Sequence, residues 1–204
     1  MMIVRSIQEL SKKRFKITLE NGLSFVLYKG ELSSYDIRVD NEIKEDHYTE
    51  IVEKVLPKRA KLRAMNLLKL RPYTVKGLRD KLSDGGYPEF IIDIAIGYVS
   101  SYGYLDDRKY ASQYIYTYRS RKNRKKIIND LLLKGVPKSI IMEALDEEPE
   151  GEMKEAEEEQ IKKFLTKKGF YDNQLSYEEK AKLSASLYRK GFDPSLIGKY
   201  INLT

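Results

Sequence analysis

The densest group of chemically able side chains is the run RSRKNRKK, which sets Arg119, Arg121, Lys122, Arg124, Lys125 and Lys126 almost side by side. A second group, Arg71, Lys76, Arg79 and Lys81, lies some fifty residues earlier. Cations at this density hold oxyanions, and Arg adds a planar fork that fits a phosphate or carboxylate edge. A solvated surface face is the plain alternative for any charge run. Other candidates are weaker. Asp106 and Asp107 resemble acidic metal ligands, yet they stand just before a helix start, where a carboxylate caps free N–H groups and favours the dipole. Tyr110, Tyr114 and Tyr118, spaced by four, could stack bases, but a half-buried helix face is the favoured reading. His47 is the only histidine and has no second ligand cluster. There is no Gly-rich phosphate loop, nucleophile elbow or paired-carboxylate motif. The expectation is therefore a binding protein rather than an enzyme, with no metal and no cofactor.

The charge is unevenly placed. The chain of 204 residues has a formal net charge of +7, with 41% apolar and 34% charged residues, which fits a soluble globular protein. From Glu50 to Leu145 there are 20 Lys or Arg against 10 Asp or Glu, whereas Asp146 to Lys168 carries 9 acids against 5 bases. With no cysteine, a disulfide framework and a thiolate metal site are excluded. The opening residues MMIVRSIQELSKKRF lack an apolar run of signal-peptide length, and no segment approaches the roughly 20 apolar residues of a membrane helix. A cytoplasmic monomer without membrane contact is expected.

What must position these cations is an internal repeat. Leu78, Leu82, Gly86 and Ile92 recur as Ile127, Leu131, Gly135 and Ile141, and again as Leu183, Leu187, Gly191 and Ile197. Apolar residues four apart share a helix face, and a glycine four further on ends the helix in a left-handed conformation. Pro88, Pro137 and Pro194 follow, at the expected first turn of a new helix. With a further helical segment upstream of each pair (Ala60 to Leu70, Arg108 to Tyr118, Ala156 to Lys168), this predicts three units of three helices. Both basic groups fall between the first and second helices of their units, so stacked repeats would present them on one side as a basic strip.

The first 44 residues differ. RFKITLENGLSFVLY alternates β-branched and aromatic residues around Asn21-Gly22, the signal for a tight hairpin, and YDIRV predicts a third short strand. The expected fold is mainly α: three tandem three-helix repeats (45–105, 106–150, 151–204) in an elongated arrangement, after a small N-terminal β-hairpin module (1–44). Thr74 and Asp107 are the expected caps, and Gly86, Gly135 and Gly191 the turn residues.

Apolar positions around a turn glycine also describe a DNA-reading helix-turn-helix. The helices after the glycines have the wrong polarity for it: PEFIIDIAIGYV has no Lys or Arg, and PKSIIMEALDEE has one Lys against four acids. A freestanding nucleic-acid-binding protein or transcriptional regulator stays as the alternative function, with nonspecific backbone contact open.

LRPYTVKGLRDKL, then GYLDDRKYA, a basic stretch and IINDLLLKGVPKSII together resemble the bacterial RecX regulatory proteins. The resemblance runs from about Ala60 to the C-terminus, and the N-terminal hairpin looks like the extension of longer members. It implies tandem three-helix repeats and a modulator of the RecA recombinase, usually negative, lying in the groove or at the end of the RecA nucleoprotein filament. It further implies reduced ATP hydrolysis and strand exchange in recombination and DNA repair, and nonspecific contact with single- or double-stranded DNA. Arg71, Thr74 and Leu78 match the family pattern, while Gly77 stands where many members have Glu, so the Thr74 cap lacks its reciprocal side chain. Asp107, Ala111 and Gly135 also match. The expected partner or phosphate contacts are Arg71, Lys76, Arg79, Arg119, Arg121, Lys122, Arg124, Lys125 and Lys126.

Overall fold

The structure is a computed structural model that describes residues 2–149, 151–172 and 174–202. Its contacts divide the chain into two compact units, Met1–Asp106 and Asp107–Thr204.

The first unit opens with an antiparallel sheet of three strands in sequence order, β1 (Val4–Ser11), β2 (Arg14–Leu19) and β3 (Ser24–Tyr28). The alternation in β2 and β3 turns Ile17, Leu19, Phe25 and Leu27 fully inward. Asn21-Gly22 sits at the tip between them, but Thr18 pairs with Ser24, so the connection is longer than a two-residue turn. Gly22 takes φ +85°, and Asn21 Oδ1 accepts from the Leu23 N–H at 3.0 Å, holding the tip as a side-chain-closed turn.

The expectation of a third strand at YDIRV is wrong. Asp36 and Asp40 take positive φ (50° and 64°), which breaks an extended run on either side of Ile37. The third strand is β1, which sequence reading passed over because Val4 alone of its residues is buried. An edge strand rich in charged and polar groups is one way sheets avoid pairing with other chains.

After α1 (Lys29–Ser34), a long helical stretch runs as α2 (Glu45–Glu50), a single π turn (Ile51–Val55) and α3 (Leu56–Leu70). The first helix of the repeat thus starts well before the expected Ala60. It packs with α4 (Val75–Ser83) and α5 (Glu89–Ser101), and the sheet and these helices share one apolar core.

In the second unit, α6 (Asp107–Tyr118), α7 (Arg124–Leu133) and α8 (Lys138–Asp146) enclose a core around Ala111, Ile115, Ile127, Leu131 and Ile141. A further core, with Ile161, Leu165, Leu187 and Ile197, lies among α9 (Glu152–Lys167), α10 (Tyr177–Lys190) and α11 (Pro194–Tyr200). The fold is mainly helical, with three three-helix repeats and a small N-terminal sheet.

The repeated glycine phrase is the same hydrogen-bonded turn three times. Gly86, Gly135 and Gly191 take φ +84°, +82° and +97°. Each donates its N–H three residues back, to Ser83, Leu132 and Tyr188, and the next residue donates five back, to Leu82, Leu131 and Leu187. This pair of bonds satisfies carbonyls that a helix end leaves open and turns the chain into the next helix. The prolines differ slightly from expectation: Pro88 and Pro137 occupy the cap position before the helix, and only Pro194 lies in a first turn.

The second helix of every repeat starts on a side-chain cap at the equivalent place. Thr74 accepts from the Gly77 N–H at 3.0 Å, Asn123 from Lys126 at 2.8 Å, and Ser176 from Glu179 at 3.3 Å. Only Ser176 has the reciprocal bond, its N–H donating to Glu179 at 2.9 Å. Among the described residues, no helix is long and apolar enough to cross a membrane.

Candidate functional site

The basic group after α3 is largely neutralised within its own unit. Lys76 pairs with Asp80 at 2.9 Å and Lys81 with Asp84 at 3.1 Å. Arg79 reaches across to α5, contacting Glu89 and, at 2.7 Å, Asp93, and these hydrogen bonds raise its pKa. Arg71 lies over the Tyr73 ring, 4.7 Å from its centroid. Three of the four cations therefore face Asp80, Asp84, Glu89 and Asp93, and with Arg71 counted the local sum is about zero.

The run from Arg119 to Lys126 serves as a joint between the second and third repeats. Its centre is Asn123, which is 5% exposed. Besides capping α7, Asn123 donates from Nδ2 to the Lys190 carbonyl at 2.9 Å, at the end of α10. Gln160 on α9 donates to the carbonyls of Arg119 (2.8 Å) and Lys122 (3.3 Å). The Arg124 N–H, at the start of α7, donates to Glu157 at 2.7 Å; burial nonetheless raises the pKa of that carboxyl. The Lys125 stem lies where a Cβ on Gly191 would come within 3.0 Å of it, so the turn glycine also lets the two repeats approach.

The side chains of the run are mostly paired as well. Arg119 holds Glu148 at 2.6 Å and also Glu152, with its guanidinium 4.6 Å from the Tyr116 centroid. Arg124 is 3.8 Å from Asp146, and Lys122 and Lys126 both hold Asp130, at 2.8 and 2.9 Å. Among the described residues, only Arg121 and Lys125 of the six have no acidic partner. The acidic segment that sequence reading set apart is thus partly the counterweight of the basic one.

The tyrosine ladder belongs to this network. Tyr110, Tyr114 and Tyr118 stack along α6, with centroids 6.4 and 4.4 Å apart. Lys122 lies over Tyr118 at 4.1 Å and donates to the Tyr114 hydroxyl at 2.7 Å, while that hydroxyl donates to Asp130 at 3.1 Å. Burial alone would raise the Asp130 pKa, but hydrogen bonds from Lys122, Lys126 and Tyr114 outweigh it and lower it to about 2. A depressed carboxyl pKa means stability that is present above the unfolded value of 3.8 and is lost as pH falls through about 2. Asp130→Asn should therefore be less stable than the parent at neutral pH, with the gap closing over that acidic window. Urea unfolding at several pH values checks this, and a gap that persists at pH 2 would show that Asp130 acts by shape alone.

The remaining candidates have structural surroundings. Asp107 opens α6, with Asp106 immediately before it. His47 Nδ1 is 3.1 Å from the Tyr35 carbonyl oxygen, and its ring meets the Tyr35 ring edge-on. Among the described residues, no group of three potential ligands could hold a metal ion. The helices after the glycine turns are core helices: α5 buries Ile91, Ile92, Ala95, Ile96 and Val99, and α8 buries Ile141, Ala144 and Leu145. Their exposed faces carry Glu89, Asp93, Glu143 and Asp146 against Lys138, the wrong balance of charge for a DNA groove.

The uncompensated positive charge is on α3, which sequence reading did not single out. LPKRAKLRAMNLLKL carries Lys58, Arg59, Lys61, Arg63 and Lys69 and no acid. Only Arg59 has an acidic partner among the described residues, Glu31. The available signal was fifteen residues with five bases and no counter-charge, less dense than the runs after α3 and α6.

Comparison with known proteins agrees with this architecture. Residues 60–98, 106–145 and 155–201 match the first, second and third three-helix domains of RecX. A regulatory protein RecX from Caldanaerobacter subterraneus subsp. tengcongensis is 30% identical over the full length of both chains. One from Bacillus licheniformis is 29% identical, covering 98% of this chain and 75% of the relative. A crystal structure of regulatory protein RecX shares the fold with a TM-score of 0.65 at 22% identity, covering 98% of each chain. RecX from Lactobacillus salivarius does so with 0.62 at 24% identity, over 71% of this chain and 93% of that one. Its three repeats, in their order and over their whole length, place this chain in the RecX family of regulatory proteins.

Proposed function

We propose that this protein binds the RecA nucleoprotein filament, in its groove or at its end, and lowers its ATPase and strand-exchange activity. The observation that carries the reading is the full-length match to a regulatory protein RecX, with all three repeats in order. The formal charge of +7 suits a partner that carries phosphates or acidic protein surface. The contacts belong to the cations without internal partners: Lys58 and Lys69 on α3, and Arg121 and Lys125 at the repeat joint. Arg71 is available for contact from its place over Tyr73, and Lys76, Arg79, Arg119, Lys122, Arg124 and Lys126 remain in the reading only as far as a stronger external acid displaces their present ones. No membrane is involved, and the protein acts in the cytoplasm as a monomer, touching DNA nonspecifically.

The test is the ATPase rate of RecA from the same organism on single-stranded DNA, titrated with this protein, with binding to bare DNA measured alongside. Inhibition well below one molecule per recombinase is expected. Lys58→Glu with Lys69→Glu should raise the concentration for half-inhibition at least tenfold at unchanged helix content. Arg121→Glu with Lys125→Glu should act in the same direction. No effect on the ATPase, together with tight binding to bare DNA, would favour a freestanding nucleic-acid-binding protein.

A further inference from the structure

Between the sheet and the first repeat lies a cleft of about 230 Å³ in which three guanidinium groups converge, from Arg14 on β2 and from Arg59 and Arg63 on α3. Tyr28, Tyr87 and Val26 form its walls. Two of the three arginines are fixed by main-chain oxygens. Arg14 donates to the Gly85 carbonyl at 2.7 Å, and Arg59 to the Val26 carbonyl at 3.2 Å. Arg59 also lies over the Tyr28 ring, 4.5 Å from its centroid, and pairs with Glu31. Glu31 is itself held by the Tyr28 N–H at 2.7 Å, so that pair is rigid.

Arg63 has no acidic partner among the described residues. The three cations therefore face a single carboxylate, and the cleft keeps about two positive charges that nothing inside the unit balances. This contrasts with the basic group after α3, whose charge is nearly cancelled. Burial raises the pKa of Tyr87, against the opposing fields of Arg59, Arg14 and Arg63. All three cations thus act on one phenol, as expected of groups that share a recess.

We infer that this cleft is a binding site for an acidic side chain, Asp or Glu, presented by a protein partner. Arg and Tyr together are the composition of interface hot spots, where an anchor fills a pocket and excludes water. Arg59 already shows the geometry within the chain, taking a carboxylate while its flat face rests on an aromatic ring. The aromatic and aliphatic walls favour a carboxylate on a carbon stem over a bare phosphate, because phosphate has no apolar part to cover Tyr28, Tyr87 and Val26. The recess is smaller than the roughly 300–1,000 Å³ of drug-sized ligand pockets, and suits one or two side chains. The inference does not depend on the RecA reading, since it rests on the cleft's own charge and walls.

The experiment is an NMR titration of the full chain, following the arginine Nε–H signals, with three probes: acetyl-Glu-Glu-amide, acetyl-Gln-Gln-amide and inorganic phosphate. The glutamyl peptide should produce saturable shifts at Arg14, Arg59 and Arg63, and the glutaminyl peptide none. Arg63→Ala removes an exposed side chain and should weaken glutamyl-peptide binding at least fivefold without changing the shifts of the core methyls. The absence of saturable shifts, an equal response to both peptides, an affinity unaffected by Arg63→Ala, or tighter binding of phosphate than of the glutamyl peptide would each overturn the assignment.

Discussion

Gly86→Ala should lower the stability of the Met1–Asp106 unit by about 2–4 kcal/mol, from left-handed strain of roughly 1–2 kcal/mol added to overpacking of similar size. Gly86 has φ +84°, and a Cβ there would sit 2.3 Å from Val26 Cγ2. Val26 is 7% exposed, on the central part of β3, so the added methyl meets a packed side chain rather than solvent. The two causes can be separated. Val26→Ala removes the offending methyl, so the double variant should recover part of the loss and keep the part due to φ. Urea unfolding followed by helical circular dichroism gives the size, and amide hydrogen exchange in α3 to α5 shows whether the effect stays in this unit. A loss below about 0.5 kcal/mol, in the range of ordinary surface changes, would mean that the close approach of turn and sheet is not maintained in solution.

Asn123→Ala is expected to cost about 2–4 kcal/mol in the second unit. Loss of the α7 cap accounts for about 1 kcal/mol. The Lys190 carbonyl also loses its partner at a partly buried place, which costs a further 1–3 kcal/mol. Asn123→Ser keeps an oxygen for the Lys126 N–H but cannot reach Lys190, and should fall between the parent and Asn123→Ala. Exchange rates should separate the roles: both variants loosen α10 and α11, whereas Asn123→Ala alone frays the start of α7. Equal losses in the two variants would show that the cap contributes nothing measurable.

The three-repeat plan was legible because its signals are local. A glycine four residues beyond an apolar pair reports a left-handed helix end whatever surrounds it, and Gly86, Gly135 and Gly191 all adopt that end. Family resemblance was legible for the same reason, since it rests on these turns and on the Asp107–Ala111 segment. The edge strand β1 was not, because an edge strand with one buried residue has no alternation to read. Asp36 and Asp40 defeated the strand expected at YDIRV, since positive φ in aspartate depends on local turn geometry rather than on pattern.

The site was less legible than the fold, for a physical reason. Charge density along the chain says nothing about what lies opposite in space. Arg119 finds Glu148 and Glu152 about thirty residues on, and Lys199 finds Glu158 about forty residues back. Asn123 reads as one more polar residue in a basic run until the Lys190 carbonyl is placed beside it. The converse holds for Arg14, Arg59 and Arg63: they are unremarked singly and become a site because a strand and a helix bring them to one cleft.

The π turn at Ile51–Val55 carries a consequence for how this gene can vary. Besides Pro57, the buried positions along the helix are Ile51, Leu56, Ala60, Ala64 and Leu67, a spacing of five and then of three or four. The wide turn therefore absorbs one surplus residue and keeps the apolar stripe continuous. Losing a single codon among 52–55 would turn the five into a four, the ordinary helical step, with every later buried residue still facing its present neighbours. Lineages of this protein can thus differ by one residue here at little cost, whereas the same deletion two turns further on would rotate the basic face of α3 away from the sheet.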